Sequence, residues 1–507
     1  MAMIPSEADI EALRLNKFQK FGRKFVTFFR LLPGRVGHFF ISIGLFFKNA
    51  FFGIGHFFRD LVNTFINGKW WTRLSYLIMG TGNYAHGQIA RGVLFTAFEA
   101  AFIIYMIFAG GYWLGMLFSL GKKETGFIED PITGAQMKDP GDNSFKIMLY
   151  GVITLFFIVA FLYTWYQNIK QCRVNAQIDE ENKKLRYAKD DLRALVDREF
   201  YKTLLALPAV GILVFTIMPI FFMILVAFTN YNFDHQPPDK LFQWVGLSNF
   251  GELFNWTAGG ASFSATFGEI LVWTLIWAFF ATFTNYFLGM LVALLINKKG
   301  IKFKKGWRTI LVLTVTIPQF ISLLYISKMF GRFGIINQTL LDWHWIAEPL
   351  PFWEDPMWAK VTVIIINIWI GIPYLMLMVT GILMNIPADL YESAKIDGAN
   401  PMQQYMKITL PYMLFVTGPY LLTSFTGNMN NFNVIYLLTG GGPSSSRLYE
   451  NAGQSNLLIT WLYSMTINDS NYAFASVIGI MVFIVVAFIS LVVYNLIPSM
   501  KNEEDFS

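Results

Sequence analysis

The sequence predicts an all-α integral membrane protein with about eight transmembrane helices. Hydrophobic residues make up 55% of the 507 residues, aromatic residues 17% and charged residues only 14%, which is more apolar than a soluble globular chain of ordinary composition. The apolar residues are also gathered into runs that reach the roughly 20 residues a bilayer-crossing helix needs. Both observations are typical of a multi-spanning membrane protein.

Eight apolar stretches are long enough to be such spans. They cover residues 92–119, 145–168, 203–229, 266–296, 309–330, 360–384, 412–438 and 472–497. With the N-terminus inside, 30 of the 39 Lys and Arg residues lie in cytoplasmic segments and 6 in the opposite loops. Because basic residues are enriched in cytoplasmic loops, this bias predicts that both termini are cytoplasmic. It also accounts for the net charge of +6 without a nucleic-acid partner.

Residues 1–90 are predicted to be a cytoplasmic or interfacial region with basic amphipathic helices. Between residues 17 and 66, Phe pairs recur at near-helical spacing among Lys and Arg residues, a pattern that favours contact with anionic lipid. The Gly-rich part of this stretch could instead form a re-entrant hairpin, and the pattern alone does not decide. We interpret His38 and His56 as interfacial polar groups, since two distant histidines do not make a metal site.

A polar segment between the sixth and seventh stretches is predicted to fold as helix, tight turn, helix. Pro387 suits the first turn of a helix, and Gly398 can take the left-handed conformation that ends one. Asn400 and Pro401 then suit the start of a second helix, which Pro411 is predicted to end. The charge bias places this segment, 385–411, in the cytoplasm.

The same segment resembles the signature of permease subunits of ATP-binding-cassette (ABC) importers, EAA…DGA…I.LP. The matching residues are Glu392, Ala394, Asp397, Gly398, Ala399, Ile408, Leu410 and Pro411. Ser393 replaces the second alanine of the signature, and Tyr405 stands where Phe is usual. The resemblance implies that the segment is the coupling helix that docks on an ATPase subunit. Its implied coupling residues are Glu392, Ala394, Asp397, Gly398 and Ala399.

Residues 200–507 as a whole are similar to the larger, MalF-like membrane subunit of maltose/maltodextrin importers. The resemblance implies a type I ABC importer permease fold in the bacterial cytoplasmic membrane and transport of a malto-oligosaccharide or related oligosaccharide. It also implies a MalG-like second permease, two MalK-like ATPase subunits that bind ATP and Mg²⁺, and an extracytoplasmic sugar-binding protein. No cofactor is expected on this chain. One departure is that only about 35 residues, 230–265, separate spans three and four, where the enteric member has a large folded insertion.

The expected organisation has four parts. Residues 1–90 form the basic region, 91–200 hold two additional spans with a charged cytoplasmic linker, 201–500 form the permease domain, and 501–507 are a cytoplasmic tail.

Spans six and seven hold the candidate substrate-binding residues. Asn428 and Asn431 are three residues apart and Ser424 lies four before Asn428, so on one continuous helix they would share a face. Amides supply the donors and acceptors that a hydroxyl-rich ligand needs, and in span six Trp369 and Tyr374 offer aromatic faces for a sugar ring.

By the resemblance, the residues that line the sugar site are Ile370, Gly371, Tyr374, Ser424, Asn428 and Asn431. Gly427 stands where the enteric subunit has an aromatic residue. The alternative that the amides only hold helices together stays open, especially for Asn430 and Asn433.

Catalysis by this chain is not predicted. The sequence lacks the phosphate-binding motif G-x-x-x-x-G-K-[ST] and the nucleophile motif G-x-S-x-G, and its single cysteine, Cys172, offers neither a disulfide nor a metal site. Carboxylates are nearly absent from spans three to eight, with Glu269 at an outer edge. An ion-coupled secondary transporter and a membrane glycosyltransferase are therefore the weaker alternatives.

Overall fold

The computed structural model describes residues 45, 48, 49, 53, 55–129, 136–181, 185–255, 261–298 and 300–496. In this part of the chain, seven helices are long and apolar enough to cross a membrane, and a bent pair of helices adds an eighth span. The predicted all-α membrane fold is confirmed. We number the spans one to eight: Ile89–Leu117, Ser144–Glu180, Phe200–Val226, Phe263–Asn297, the pair Lys304–Thr316 and Gln319–Met329, Pro356–Leu383, Pro401–Met429 and Tyr472–Leu496.

Shorter elements connect the spans. The short α-helices are 55–67, Trp70–Leu74, Thr81–Ala85, Ala188–Val196, Ser248–Gly251, Ile335–Asp342, Ala388–Ile396, Phe432–Thr439 and Leu458–Ile467. Single 3₁₀ turns lie at Phe233–His235 and Tyr449–Asn451. Strands Gly126–Glu129 and Gln136–Asp139 form an antiparallel hairpin between spans one and two, which the sequence analysis did not predict.

Span five is bent by 89° between its two halves, whereas the sequence predicted one helix over 309–330. The bend falls at Ile317 and Pro318, whose ψ angles of 125° and 126° are extended. The cause is local, because the proline ring disfavours the helical conformation in the residue before it.

Span seven differs from the prediction at both ends. It begins at Pro401 and continues through Pro411, because a wider π turn at Tyr405–Thr409 precedes that proline and the Leu410 N–H bonds to the Tyr405 carbonyl five residues back. Pro411 therefore does not end a helix. At the other end the helix stops at Met429 instead of running to 438, and a separate helix starts at Phe432.

The chain forms two compact units. The first comprises Met1–Gly111 and Leu155–Pro208, and the second comprises Tyr112–Thr154 and Ala209–Ser507. In the first unit, buried polar side chains hold the loop around residues 75–80. The Asn168 side chain accepts a hydrogen bond from the Gly80 N–H at 2.9 Å and donates one to the Ser75 carbonyl at 3.0 Å. The Glu99 carboxylate accepts a hydrogen bond from the Met79 N–H at 2.8 Å. The domain boundaries expected at residues 90 and 200 stay a prediction.

Much of the predicted basic amphipathic stretch, including His38 and the Phe pairs up to residue 52, lies outside the described residues. Of the described part, Phe57 and Phe58 are exposed, and the His56 Nδ1 lies 3.1 Å from the Arg59 guanidinium.

Span four is central to the second unit. Near one end its Trp273 packs with Val363 of span six and Val434 of the helix after span seven. Further along, its Tyr286 packs with Met376 of span six in a separate cluster that also includes span seven. Span four thereby holds together the two spans that carry the predicted sugar site.

The hairpin between spans one and two is attached to the loop between spans three and four. The Thr125 hydroxyl lies 2.9 Å from the Pro140 carbonyl and 2.6 Å from the Pro238 carbonyl. The hairpin leaves Phe127, Ile128 and Met137 exposed.

Candidate functional site

The predicted turn between spans six and seven lies in residues 387–411, which we call the elbow, and it is confirmed. Helix Ala388–Ile396 ends where the Ala399 N–H donates to the Ala394 carbonyl at 2.8 Å and the Gly398 N–H donates to the Lys395 carbonyl at 3.0 Å. Gly398 has a φ of 73°, and a Cβ there would meet no atom within 4 Å. Glycine is thus favoured by the left-handed backbone that this helix ending uses, and not by lack of space.

The second half of the elbow begins with a complete capping box. The Asn400 side chain accepts from the Gln403 N–H at 2.8 Å, and the Gln403 side chain accepts from the Asn400 N–H at 2.9 Å. Pro401 takes the first helical position, where its missing N–H costs nothing. The two halves of the elbow are therefore closed by hydrogen bonds within the elbow itself.

The elbow is ordered but leaves its outer side chains uncovered. Leu390, Ile396 and Met402 are exposed by 48%, 87% and 65%, and Glu392 and Asp397 are also exposed. The two halves of the elbow are also joined through the Tyr391 and Thr409 hydroxyls, which lie 2.9 Å apart. A fixed element with adjacent apolar and acidic side chains can serve as a docking surface for another protein.

The predicted residues of span six line a cavity of about 450 Å³. Trp369, Ile370, Gly371 and Tyr374 form one wall. The other lining residues come from the bend of span five: Thr314, Val315, Thr316, Ile317, Pro318, Gln319 and Ser322. Sequence reasoning missed the span five residues because it treated 309–330 as one straight helix, although Ile317-Pro318 was a visible signal of a break.

This cavity combines aromatic and polar groups. The Thr314 and Thr316 hydroxyls donate to carbonyls three residues back in their own helix, whereas the Gln319 amide makes no hydrogen bond to any part of the chain that the structure describes. Trp369 and Tyr374 are each more than half exposed. An apolar cavity with a few polar groups is the usual form of a small-molecule site.

The side chain of Asn285 packs closely against Gly371. A Cβ on Gly371 would lie 2.6 to 2.8 Å from the side-chain amide of Asn285 in span four. Gly371 therefore lines the cavity and also makes room for the Asn285 side chain.

The predicted residues of span seven lie together but not on one helical face. The Asn431 amide donates to the Asn428 side-chain oxygen at 3.4 Å. Because the helix ends at Met429, Asn431 is the N-cap of the next helix, where its side chain accepts from the Val434 N–H at 3.3 Å. The assumption of one continuous helix was wrong. The reason is that Asn side chains compete for backbone hydrogen bonds and favour helix ends.

The other two residues of this group have different surroundings. Ser424 is partly buried and lies one helical turn after Tyr420 on span seven. Gly427 is exposed, and a Cβ there would meet no atom within 4 Å. Space therefore remains open where the enteric subunit has an aromatic residue.

Comparison with known proteins identifies the relatives of this chain. The family described as "Binding-protein-dependent transport system inner membrane component" matches residues 285–502. The galactooligosaccharides transport system permease protein GanP of Bacillus subtilis is 33% identical over 433 residues, which cover 84% of this chain and 97% of GanP. The maltodextrin transport system permease protein MalC of Streptococcus pneumoniae is 33% identical over 441 residues, covering 84% of this chain and 96% of MalC.

A third relative matches a smaller part of the chain. The maltose/maltodextrin transport system permease protein MalF of Vibrio parahaemolyticus is 34% identical over 253 residues, which cover 49% of this chain and 47% of MalF.

These matches define the role of the chain in general terms. The elbow and spans six, seven and eight all lie within the matched family region. Permease subunits of this family are transport components that bind no cofactor, and ATP is hydrolysed by separate ATPase subunits. The chain therefore belongs to the family of binding-protein-dependent transport system inner membrane components, as a MalF-like, multi-pass permease subunit of the cell membrane.

Proposed function

We propose that this chain lines the translocation pathway for a malto-oligosaccharide or a related oligosaccharide. The observation that carries the proposal is the cavity beside Trp369 and Tyr374, in a chain whose relatives are named for transport of maltodextrins and galactooligosaccharides. An aromatic face packs well against the apolar face of a sugar ring. The bend of span five adds the Gln319 amide to the same cavity.

The amides of Asn428 and Asn431 can bind sugar hydroxyls in addition to each other. An amide has two donor hydrogens and two acceptor lone pairs. The Asn428 side chain uses one donor toward Thr282 and one acceptor toward Asn431, so one of each is left. Ser424, Ile370, Gly371 and Gly427 complete the proposed substrate-binding set.

The elbow is proposed to be the surface that couples this chain to its ATPase. Exposed Leu390, Ile396 and Met402 support apolar docking, and the exposed carboxylates of Glu392 and Asp397 can pair with basic groups of an ATPase subunit. Ala394, Gly398 and Ala399 contribute through the backbone bonds that end the first helix.

The proposed assembly contains a second, MalG-like permease, two MalK-like ATPase subunits that bind ATP and Mg²⁺, and an extracytoplasmic sugar-binding protein. Both termini of this chain are proposed to be cytoplasmic, with residues 1–90 in contact with membrane lipid. ATP-driven closure of the ATPase pair would move the elbows. The two permeases would then pass from an inward-open to an outward-open arrangement that receives the sugar.

The test is transport by the reconstituted assembly. Liposomes containing all subunits and the binding protein are assayed for ATP-dependent uptake of labelled maltotriose, longer maltodextrins and galacto-oligosaccharides, with an amino acid as the control solute. We expect uptake of at least one oligosaccharide, and only when ATP is supplied. Uptake by this chain alone, driven by an ion gradient, would replace the proposal with secondary transport.

A further inference from the structure

Span four brings two buried polar side chains to the two groups of predicted sugar residues. Thr282 and Asn285 lie in and directly after a π turn, Phe280–Thr284, and their exposed fractions are 2% and 6%. Polar side chains inside a bilayer helix are costly unless they have a role, and π turns occur frequently at functional sites. The sequence analysis assigned no role to either residue.

Thr282 determines the orientation of the Asn428 side chain. The Asn428 amide nitrogen donates to the Thr282 hydroxyl at 3.0 Å. On the backbone side, the Trp277 indole N–H donates to the Asn428 carbonyl at 3.1 Å. Span four thus fixes both the side chain and the backbone of Asn428, so that its remaining amide donor and acceptor point in defined directions.

Asn285 determines how closely span six approaches span four. Its amide nitrogen donates to the Ala281 carbonyl at 2.9 Å and lies 3.4 Å from the Asn367 carbonyl of span six. The same amide occupies the space that a Cβ on Gly371 would need. The position of Gly371, and with it the wall formed by Trp369 and Tyr374, therefore depends on the size of residue 285.

The amide oxygen of Asn285 has a further property. It is buried and accepts no hydrogen bond from any residue that the structure describes. An unpaired buried acceptor opposes folding. Stability alone therefore does not explain the Asn at this position.

We infer that Thr282 and Asn285 are positioning residues of the sugar site. Neither side chain reaches the sugar: Thr282 acts through the Asn428 amide, and Asn285 acts through Gly371 on the aromatic wall of the cavity. The inference rests on the proposed function, because it requires that an oligosaccharide contacts both the cavity lined by Trp369 and Tyr374 and the Asn428 amide, which is not among the residues lining that cavity.

The first test removes the Thr282 hydroxyl without changing its shape. In the reconstituted assembly, Thr282→Val is expected to raise the KM for sugar uptake about tenfold, with kcat changed less than about twofold, because one amide hydrogen bond is lost. Thr282→Ser restores the hydroxyl and should return the KM to within about twofold of the parental value. Thr284→Val is the matched control, since among the described residues the Thr284 hydroxyl bonds only to the Phe280 carbonyl of its own helix.

The outcomes of this first test are distinguishable. A KM unchanged in Thr282→Val, in an assembly whose parent transports oligosaccharide, overturns the role of Thr282. Equal defects in Val and Ser variants, or a lower yield of assembled complex with an unchanged KM, show a purely structural residue and also overturn it. A parental assembly that transports no oligosaccharide overturns the proposed function itself.

The second test is a double-mutant cycle at Gly371 and Asn285. Gly371→Ala should reduce uptake at least tenfold, because the new methyl group meets the Asn285 amide at under 3 Å. Asn285→Ala vacates that space, so the double variant should transport better than Gly371→Ala alone. The same non-additivity should appear in the thermal midpoint of the purified chain, which needs no substrate. Additive effects in both measurements, or parental uptake by Gly371→Ala, would overturn the role of Asn285.

Discussion

The elbow and the predicted sugar-binding residues of spans six and seven are stabilised in opposite ways. In the elbow, the hydrogen bonds that close the two helices join residues three to five positions apart, such as Ala399 to Ala394 and Gln403 to Asn400. At the proposed sugar site, the hydrogen bonds that fix Asn428 come from Thr282 and Trp277, about 150 residues earlier in the chain. The bonds that close the elbow therefore lie within the elbow, whereas those that fix Asn428 exist only while spans four and seven are packed together.

This difference decides what substitutions should do in each region. A change in the elbow acts on its own backbone and, by our proposal, on the ATPase docked there. A change at the proposed sugar site acts on neighbouring residues in other spans. The following four predictions test that distinction, from the largest expected effect to the smallest.

Gly398→Val should cause the largest loss. A β-branched residue at a φ of 73° is strained by on the order of 1–2 kcal/mol, and no neighbouring atom can compensate because none lies within 4 Å. We expect the chain to stay in the membrane while sugar-stimulated ATP hydrolysis by the assembly falls at least about tenfold.

The matched control is Gly398→Asn, because Asn tolerates the left-handed conformation far better than Val. It should keep most of the coupled ATP hydrolysis. Normal coupling in Gly398→Val would contradict the role assigned to the turn.

Asn428→Ala and Asn431→Ala should follow in size. Each removes an amide that we propose to bind sugar, and Asn428→Ala also leaves the Thr282 hydroxyl without its donor. Uptake should show a KM raised by about tenfold for each lost hydrogen bond, with the assembled complex still formed. Parental uptake by both variants across the whole sugar panel would mean that the site lies elsewhere.

Asn400→Ala should have a smaller effect on the elbow. Loss of an N-cap costs about 1 kcal/mol, and the Schellman-type ending at Gly398 is left intact. We expect sugar-stimulated ATP hydrolysis to fall by about two- to fivefold, and Asn400→Ser to restore it. A defect larger than that of Gly398→Val would show that the cap, and not the turn, governs the shape of the elbow.

Asn433→Ala should have the smallest effect. Asn433 is exposed and lies on the helix after span seven, in which the side chain of Asn431 rather than Asn433 forms the N-cap. Uptake should stay within about twofold of the parental rate. A KM change as large as that of Asn431→Ala would extend the sugar site past the break after span seven.

The same distinction explains which features the sequence predicted. The positive φ of Gly398 and the cap at Asn400 follow from residues within one turn, and both are confirmed. The break at Ile317 and Pro318 had a local signal as well. The prediction for 309–330 used hydropathy, which shows how apolar a stretch is but not whether its helix bends, so the stretch was predicted to be one straight helix.

Long-range features had weaker signals. The hairpin at Gly126–Asp139 is held partly by the distant Pro238 carbonyl, which no pattern within the hairpin indicates. Asn285 could have been noticed in the sequence as an amide in an apolar run. Its contact with Gly371, however, is visible only in the packing of spans four and six. The position of one helix along its neighbour is set by contacts between residues that are distant in the chain, and a single sequence does not reveal those contacts.

The continuity of span seven with the second half of the elbow has a mechanical consequence. The 29 residues of Pro401–Met429 form one uninterrupted helix, so at about 1.5 Å per residue it is a rod roughly 43 Å long with Asn428 near its far end. A tilt of about 5° at the elbow would displace that end by roughly 4 Å. That displacement exceeds the 3.0 Å length of the bond between Asn428 and Thr282. If the elbow moves as we propose, span four must therefore travel with span seven, or this hydrogen bond must break.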